Sequence, residues 1–173
     1  MVKVGHAEAG YGKGRVFDAK ALEDVGSLLA LNANYATLEP LVGDDERVYD
    51  IRLQKIGEHL RAYERRSANW KGNVGTALVE EVEVTEEYER WLALGSSIFG
   101  GLDICTVDGI RKADGSAVIL EVNDTASGFM VDNEAEDRRH CAQLVATKYA
   151  QVLSHRQLQR QRRQAMITAQ TEE

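Results

Sequence analysis

Glu121 and Asn123 stand two apart in the run Val118-Ile119-Leu120-Glu121-Val122-Asn123-Asp124. In a strand, side chains two apart leave the same face, so both oxygen-bearing groups point one way while Leu120 and Val122 turn to the core. An earlier apolar run, Leu102 to Ile110, leads into Arg111-Lys112-Ala113-Asp114-Gly115, whose Asp-Gly marks a hairpin. A turn centred on Ala113-Asp114 places Asp103 opposite residue 123, 124 or 125, the register deciding which. Asp103, Glu121 and Asn123 then converge at one end of the hairpin. Three hard oxygen donors suit Mg²⁺ or Ca²⁺ at about 2.0–2.6 Å, with nucleotide phosphates completing the shell. Two carboxylates this close repel when no cation lies between them. Solvated acids at a strand edge are the plainer reading of the same residues.

A second candidate is GHAEAGYGKG, residues 5–14, with glycine at Gly5, Gly10, Gly12 and Gly14. Glycine lets backbone approach a ligand closely and enter the left-handed region, which is why phosphate loops use it. The phosphate-loop pattern G-x-x-x-x-G-K-[ST] fails here. Aligned on Gly12-Lys13, its first glycine falls on Ala7 and its hydroxyl residue on Gly14. The dinucleotide pattern G-x-G-x-x-G fails at Arg15, and no apolar helix pattern follows at once. What remains is an apolar start with Lys3, a glycine loop and a second apolar stretch, Arg15-Val16-Phe17. That is the strand–loop–strand form of a flap over a nucleotide, with a surface hairpin as the alternative.

The elements that must hold these groups are legible as short strands and helices. Asp18 caps a helix with Ala21, Leu22, Val25, Leu28 and Leu29 on one side. Tyr35 to Glu39 reads as a strand ending at Pro40, and residues 44–46 as an acidic turn. Val48 to Ile56 alternates, with Val48, Asp50, Arg52, Gln54 and Ile56 on one face and Tyr49, Ile51, Leu53 and Lys55 on the other. After Gly57-Glu58-His59 comes a strand from Leu60 to Arg65, then a polar loop, Ser67 to Gly75. Thr85-Glu86-Glu87 opens a helix that ends at Gly100-Gly101, and a last helix begins near Glu134. Mixed helices and antiparallel hairpins make the fold class α+β.

The chain has 173 residues, 43% hydrophobic and 28% charged, which is ordinary globular usage and points to one domain. We expect that domain over residues 1–153 and a polar Gln- and Arg-rich tail over 154–173. A net charge of −7 draws the chain neither to nucleic acid nor to an anionic membrane. Cys105 and Cys141 sit in no zinc spacing and imply no disulfide framework. With no leader pattern and no apolar run long enough to cross a membrane, a cytoplasmic protein is expected. Arg156, Arg160, Arg162 and Arg163 are read as a solvated helix face.

Seven blocks in order carry a resemblance. They are Val2-Lys3, the glycine loop, Glu39-Pro40-Leu41-Val42, Asp50-x-Arg52, Asn69-Trp70-Lys71-x-Asn73-x-Gly75, the stretch Phe99 to Cys105, and Glu121-Val122-Asn123. Together they resemble the ATP-grasp superfamily and, within it, the C-terminal ATP-binding part of the synapsin C domain, over residues 1 to about 153. The resemblance implies an ATP-grasp-type antiparallel sheet with flanking helices. It makes the glycine loop, with Gly10 and Gly12, the flap over the triphosphate, and Lys3 the lysine pointing at the phosphates. Glu39, Leu41 and Val42 become the hinge that holds adenine, and Lys71 and Asn73 part of a loop covering the site. Arg52 becomes the catalytic position, facing the phosphates or an acceptor. Asp103, Glu121 and Asn123 fall on the metal positions.

By that resemblance the chain binds ATP with Mg²⁺ or Ca²⁺ in a regulatory role at the cytosolic face of vesicles. Homodimeric or higher assembly and vesicle or cytoskeletal partners come with the family. The alternative is a carboxylate–amine ligase, in which ATP phosphorylates a carboxylate and an amine attacks the acyl phosphate. Asn123 favours it, because the ligases read E-V-N where the animal synapsins depart. Against it, the amino-terminal domain and the element before the phosphate lysine are expected to be missing.

Overall fold

The structure, a computed structural model, describes residues 1–7, 10–31, 35–42, 47–67, 69–71, 76–124 and 126–171. Two antiparallel sheets divide the chain. β1 (Val2–Val4), β2 (Lys13–Gly14) and β3 (Ala36–Leu38) form a small sheet in the order β2-β1-β3. β4 (Arg47–Ile56), β5 (His59–Ser67), β6 (Ala77–Val82), β7 (Ile104–Lys112) and β8 (Ala117–Asn123) form a five-stranded sheet in the order β6-β5-β4-β7-β8. The helices are α1 (Ala19–Leu31), α2 (Glu86–Ser96) and α3 (Glu134–Thr171). Asp18 caps α1 by accepting the Ala21 N–H at 2.8 Å, and the Thr85 side chain caps α2 by accepting from the Tyr88 N–H.

The alternation of β4 gives the large sheet two unlike faces. Ile51 and Leu53 of β4, Ala62 of β5 and Val107 of β7 pack with Tyr88 and Leu92 of α2 as a buried apolar cluster. Gly95 of α2 lies so close that a Cβ there would meet Val107 Cγ2 at 2.8 Å, so helix and sheet touch backbone to side chain. The opposite face is polar. Its rows run across the strands, Tyr63, Arg52, Asp108 and Glu121 in one, Arg61, Gln54, Thr106 and Asn123 in the next.

α3 docks its first turns on that polar face. Asp137 is fully buried and accepts from Gln54 Nε2 at 2.6 Å and from Arg61 Nε at 3.0 Å. Arg61 also donates to Glu81 of β6 and Glu136 of α3. A buried charge is tolerated only when its partners replace water, and here two strands and a helix supply them.

Three readings of the sequence change. The second strand of the glycine hairpin is Lys13–Gly14, not Arg15 to Phe17, and the Phe17 side chain is exposed. β6 was not expected: its Glu80 and Glu81 hid a strand that tolerates charge because it lies at the sheet edge. β7 is shifted two residues later than the apolar run suggested.

Two stability outcomes follow. Leu92→Ala should cost about 3 kcal/mol in urea unfolding, the range for a large-to-small change in a close-packed core. Asp137→Ala should cost a similar amount, about 3–5 kcal/mol, because Arg61 is left buried with a partner removed. Asp137→Asn, which keeps the shape and one acceptor, should cost less on the same measurement.

Candidate functional site

Between the sheets lies a cleft of about 650 Å³. Lys13 of β2 and the segment Glu39 to Val42 leaving β3 form one wall, and Asp50, Arg52, Asp108 and Glu121 of the polar face form the floor. Ile110, Val118, Ile119 and Leu120 make an apolar side, and Trp70 and Lys71 stand at the rim.

The floor depends on one irregularity. From the turn outward β7 and β8 pair Arg111 with Ala117, Ile110 with Val118 and Gly109 with Ile119, and then the register shifts so that Asp108 faces Glu121. Leu120 is the extra residue of a bulge, a device that turns side chains to new directions. Without it Leu120 would face Asp108. Gly109 belongs to the same feature, since a Cβ there would come within 3.0 Å of the Val118 carbonyl oxygen. Leu120, expected in the core, is 54% exposed and lines the cleft.

The register also moves Asp103 out of the donor set. Asp103 precedes β7, whose pairing to β8 starts only at Thr106, and it lies five residues from Asp108, about 17 Å along an extended chain. Its carboxylate pairs with Lys148 of α3 at 2.8 Å. The carboxylate that joins Glu121 is Asp108. Asn123 Nδ2 donates to Asp108 Oδ2 at 3.1 Å, so Asp108, Glu121 and Asn123 are the oxygen-bearing groups brought together. The sequence signal for Asp108 was its alternation with Thr106 and Ile110; the bulge that makes it a neighbour of Glu121 had none beyond Gly109.

Burial pushes the Asp108 carboxyl above its ordinary value; Arg52 beside it pulls the other way, and Glu121 opposite adds to the rise. Facing carboxylates in a partly dry cleft are a cation's environment. The donor chemistry, two carboxylates and an amide, suits Mg²⁺ or Ca²⁺. Among the described residues no three His, Cys, Asp or Glu side chains group as metal ligands, so such an ion needs further oxygens from a ligand.

Arg52 Nη1 donates to Asp108 Oδ1 at 3.4 Å, and Nη2 donates to the Gly128 carbonyl at 3.1 Å. Its charge therefore sits on the floor beside Asp108. Lys3 pairs with Glu39 at 2.6 Å, which brings it to the cleft wall through that carboxylate. Leu41 and Val42 line the wall directly. Gly12 accepts from the Val4 N–H at 2.8 Å, has φ +67°, and leaves only 2.8 Å between a Cβ and the Val4 oxygen, so no other residue fits. Gly10 accepts from Lys71 Nζ at 2.9 Å, tying the glycine loop to the rim. Trp70 lies between Arg15, 4.8 Å from its centroid, and Lys71, at 5.2 Å. Asn73 lies outside the described residues. Arg65 and Lys112, which the sequence did not single out, also line the cleft. Burial pushes the thiols of both free cysteines up, as befits packing residues.

The model of the family described as "Synapsin, ATP binding domain" matches residues 1–151. Synapsin of Drosophila melanogaster is 32% identical over 158 residues, 88% of this chain and 15% of that protein. The chain thus spans a small part of that relative's length. A solved structure of the ATP-grasp ligase PsnB, complexed with a phosphomimetic variant of minimal precursor, Mg and ADP, superposes with TM-score 0.51 at 22% identity, over 82% of this chain and 48% of that one. At that identity the likeness establishes the fold, which is that of ATP-grasp proteins: antiparallel sheets with flanking helices and a cleft between them. No helix among the described residues is long and apolar enough to cross a membrane. The chain belongs to the synapsin family, whose ATP-binding domain it carries over residues 1–151.

Proposed function

We propose that the cleft holds ATP with a divalent cation, Mg²⁺ or Ca²⁺, in a regulatory role at the cytosolic face of vesicles, the chain working as a homodimer or higher homo-oligomer. The observation that carries the site is the pairing of Asp108 with Glu121 on the floor of a cleft whose opposite wall is the Glu39–Val42 segment. The vesicle setting, vesicle or cytoskeletal partners and assembly rest on family membership.

In this reading Leu41 and Val42 on one side and Ile119 and Leu120 on the other hold the flat adenine ring, an apolar slot with backbone groups at its edge. Lys13, Arg65 and Lys71 meet the phosphates, a compact or planar cation each. Lys3 acts with Glu39, and Gly10 and Gly12 let the flap backbone close over the triphosphate. Asn73 remains with the loop that carries Lys71. The cation would be held by Asp108, Glu121 and the Asn123 amide oxygen in place of Asp103, and when bound it neutralises phosphate charge and keeps both carboxylates ionised. Arg52 keeps Asp108 oriented from the side opposite Asn123.

A second reading is favoured by Asn123, whose amide already sits on Asp108 within the E-V-N order of ligases. There Arg52 is the catalytic cation that stabilises the transferring phosphoryl group.

Titration calorimetry of ATP into the whole chain should show binding with Mg²⁺ or Ca²⁺ and at least about tenfold weaker binding with chelator. Asp108→Ala and Glu121→Ala should each reproduce the chelator result, whereas Asp103→Ala should bind as the unaltered chain does. Loss of binding in Asp103→Ala alone would overturn the donor set, and no binding in any condition would overturn the site. A separate assay divides the readings. ATP returned intact after a day supports the regulatory role; ADP formed only with an added carboxylate, and abolished in Arg52→Ala, establishes the ligase.

A further inference from the structure

His59, which opens β5, stacks on His140 of α3 with ring centroids 3.9 Å apart and planes 14° from parallel. His59 Nε2 is buried with no hydrogen-bond partner among the described residues. It lies 3.6 Å from Asp137 Oδ1, beyond hydrogen-bond reach, and both oxygens of that carboxylate are already taken by Arg61 and Gln54. His140 Nε2 is in turn 3.7 Å from Glu136 Oε1. The charged and titratable groups around His59 are therefore Arg61 on its own strand and Glu136, Asp137 and His140 on α3. β4 presents Gln54 and Ile56, and the adjoining turn holds Glu58 and, through the Gly57 N–H, the Asp103 backbone that precedes β7.

We propose that the His59–His140 stack is a proton-operated release for α3, holding the helix on the large sheet while a ring is neutral and letting it go when acid charges the pair. A proton on His59 sets a cation between Arg61 and the stacked ring; a second on His140 sets two cations face to face. Burial, His140 and Arg61 hold the His59 proton affinity below its ordinary value, against the weaker pull of Asp137 and Glu136. The folded, docked state thus prefers neutral His59. Its contribution to docking is fully present above the ordinary histidine value of 6.5 and is lost as pH falls below it.

Release of α3 would reach the cleft. The chain from Asn123 to Glu134 is pinned at Gly128 by Arg52, at Ser127 by Thr106 and at Asn133 by Tyr63. Freed at its α3 end, that chain loosens Arg52 and with it Asp108. For this consequence the inference rests on the nucleotide-site reading; for the release itself it rests on α3 docking alone.

Hydrogen exchange of the whole chain, corrected for intrinsic rates, should show residues 134–144 losing protection about fivefold or more between about pH 7.5 and 5.5, and not in the variant His59→Gln/His140→Gln. ATP–Mg²⁺ affinity should fall over the same range by at least about fivefold more in the unaltered chain than in the variant, a comparison that cancels the titration of ATP itself. The same pH dependence of exchange in both proteins overturns the release. Exchange that responds without a matching change in affinity overturns its link to the cleft. Release in a chain that binds no ATP at either pH overturns the nucleotide reading and leaves the release standing. Should the variant not fold, the imidazole C2–H resonances of the unaltered chain decide. A His59 titration below its ordinary value supports the proposal, and one at that value overturns it.

Discussion

Asp108 and Glu121 face each other because β8 carries one residue more than the strand it pairs with. Like charges directly opposite in a sheet are unfavourable, and burial makes the pair worse by removing water from Asp108. The protein offsets this from two sides, with the Arg52 guanidinium on one Asp108 oxygen and the Asn123 amide on the other. In the proposed function Glu121, which lacks those two partners' help, is the acid that most needs the cation. The constraint explains the polarity of the whole sheet face. Arg52 can reach Asp108 only from β4, Asn123 only from β8, and both must share a face with it, which forces Ile51, Leu53, Val107 and Val122 to the other side, under α2.

The cleft above that floor is closed by weaker contacts. Lys71 donates to the Gly10 carbonyl at 2.9 Å, a charge-assisted bond worth about 1.5–3 kcal/mol net. In the proposed function a triphosphate in the cleft competes with that carbonyl for Lys71. Trp70, with the Arg15 guanidinium and the Lys71 ammonium over its ring, joins the rim to the residue that follows β2. Gly12 has no such latitude, since its positive φ and the Val4 oxygen beneath it fix the base of the glycine loop.

Much of this was legible in the residues. The alternation of Val48 to Ile56 gave both faces of β4 correctly, because a half-buried strand writes its period of two in the sequence. Asp18 and Thr85 announced α1 and α2 through side chains that accept from the first turn. The family blocks led to the cleft wall at Glu39–Val42. What failed was register. A hairpin read from its turn carries no sign of a bulge five residues away, so Asp103 was set near Glu121 and Asp108 was passed over, although Asp108 has the parity of Arg52's face. The α3 network was equally hidden: Gln54, Arg61 and Asp137 are separated by up to 83 residues, and only tertiary contact makes them one group. His59 and His140 carry no local pattern at all.

Arg52 joins these two levels. One end of its guanidinium holds Asp108, whose carboxyl burial pushes up, and the other holds Gly128 in the segment that leads from β8 to α3. A side chain so divided is not free to follow a phosphate without releasing something. If it turns toward a ligand it gives up Asp108; if the segment beyond β8 moves, Arg52 loses the contact that aims it. In the proposed function, ligand charge, cation and helix docking thus act on one guanidinium, and the position of α3, remote from the cleft in sequence, becomes a condition for the geometry of its floor.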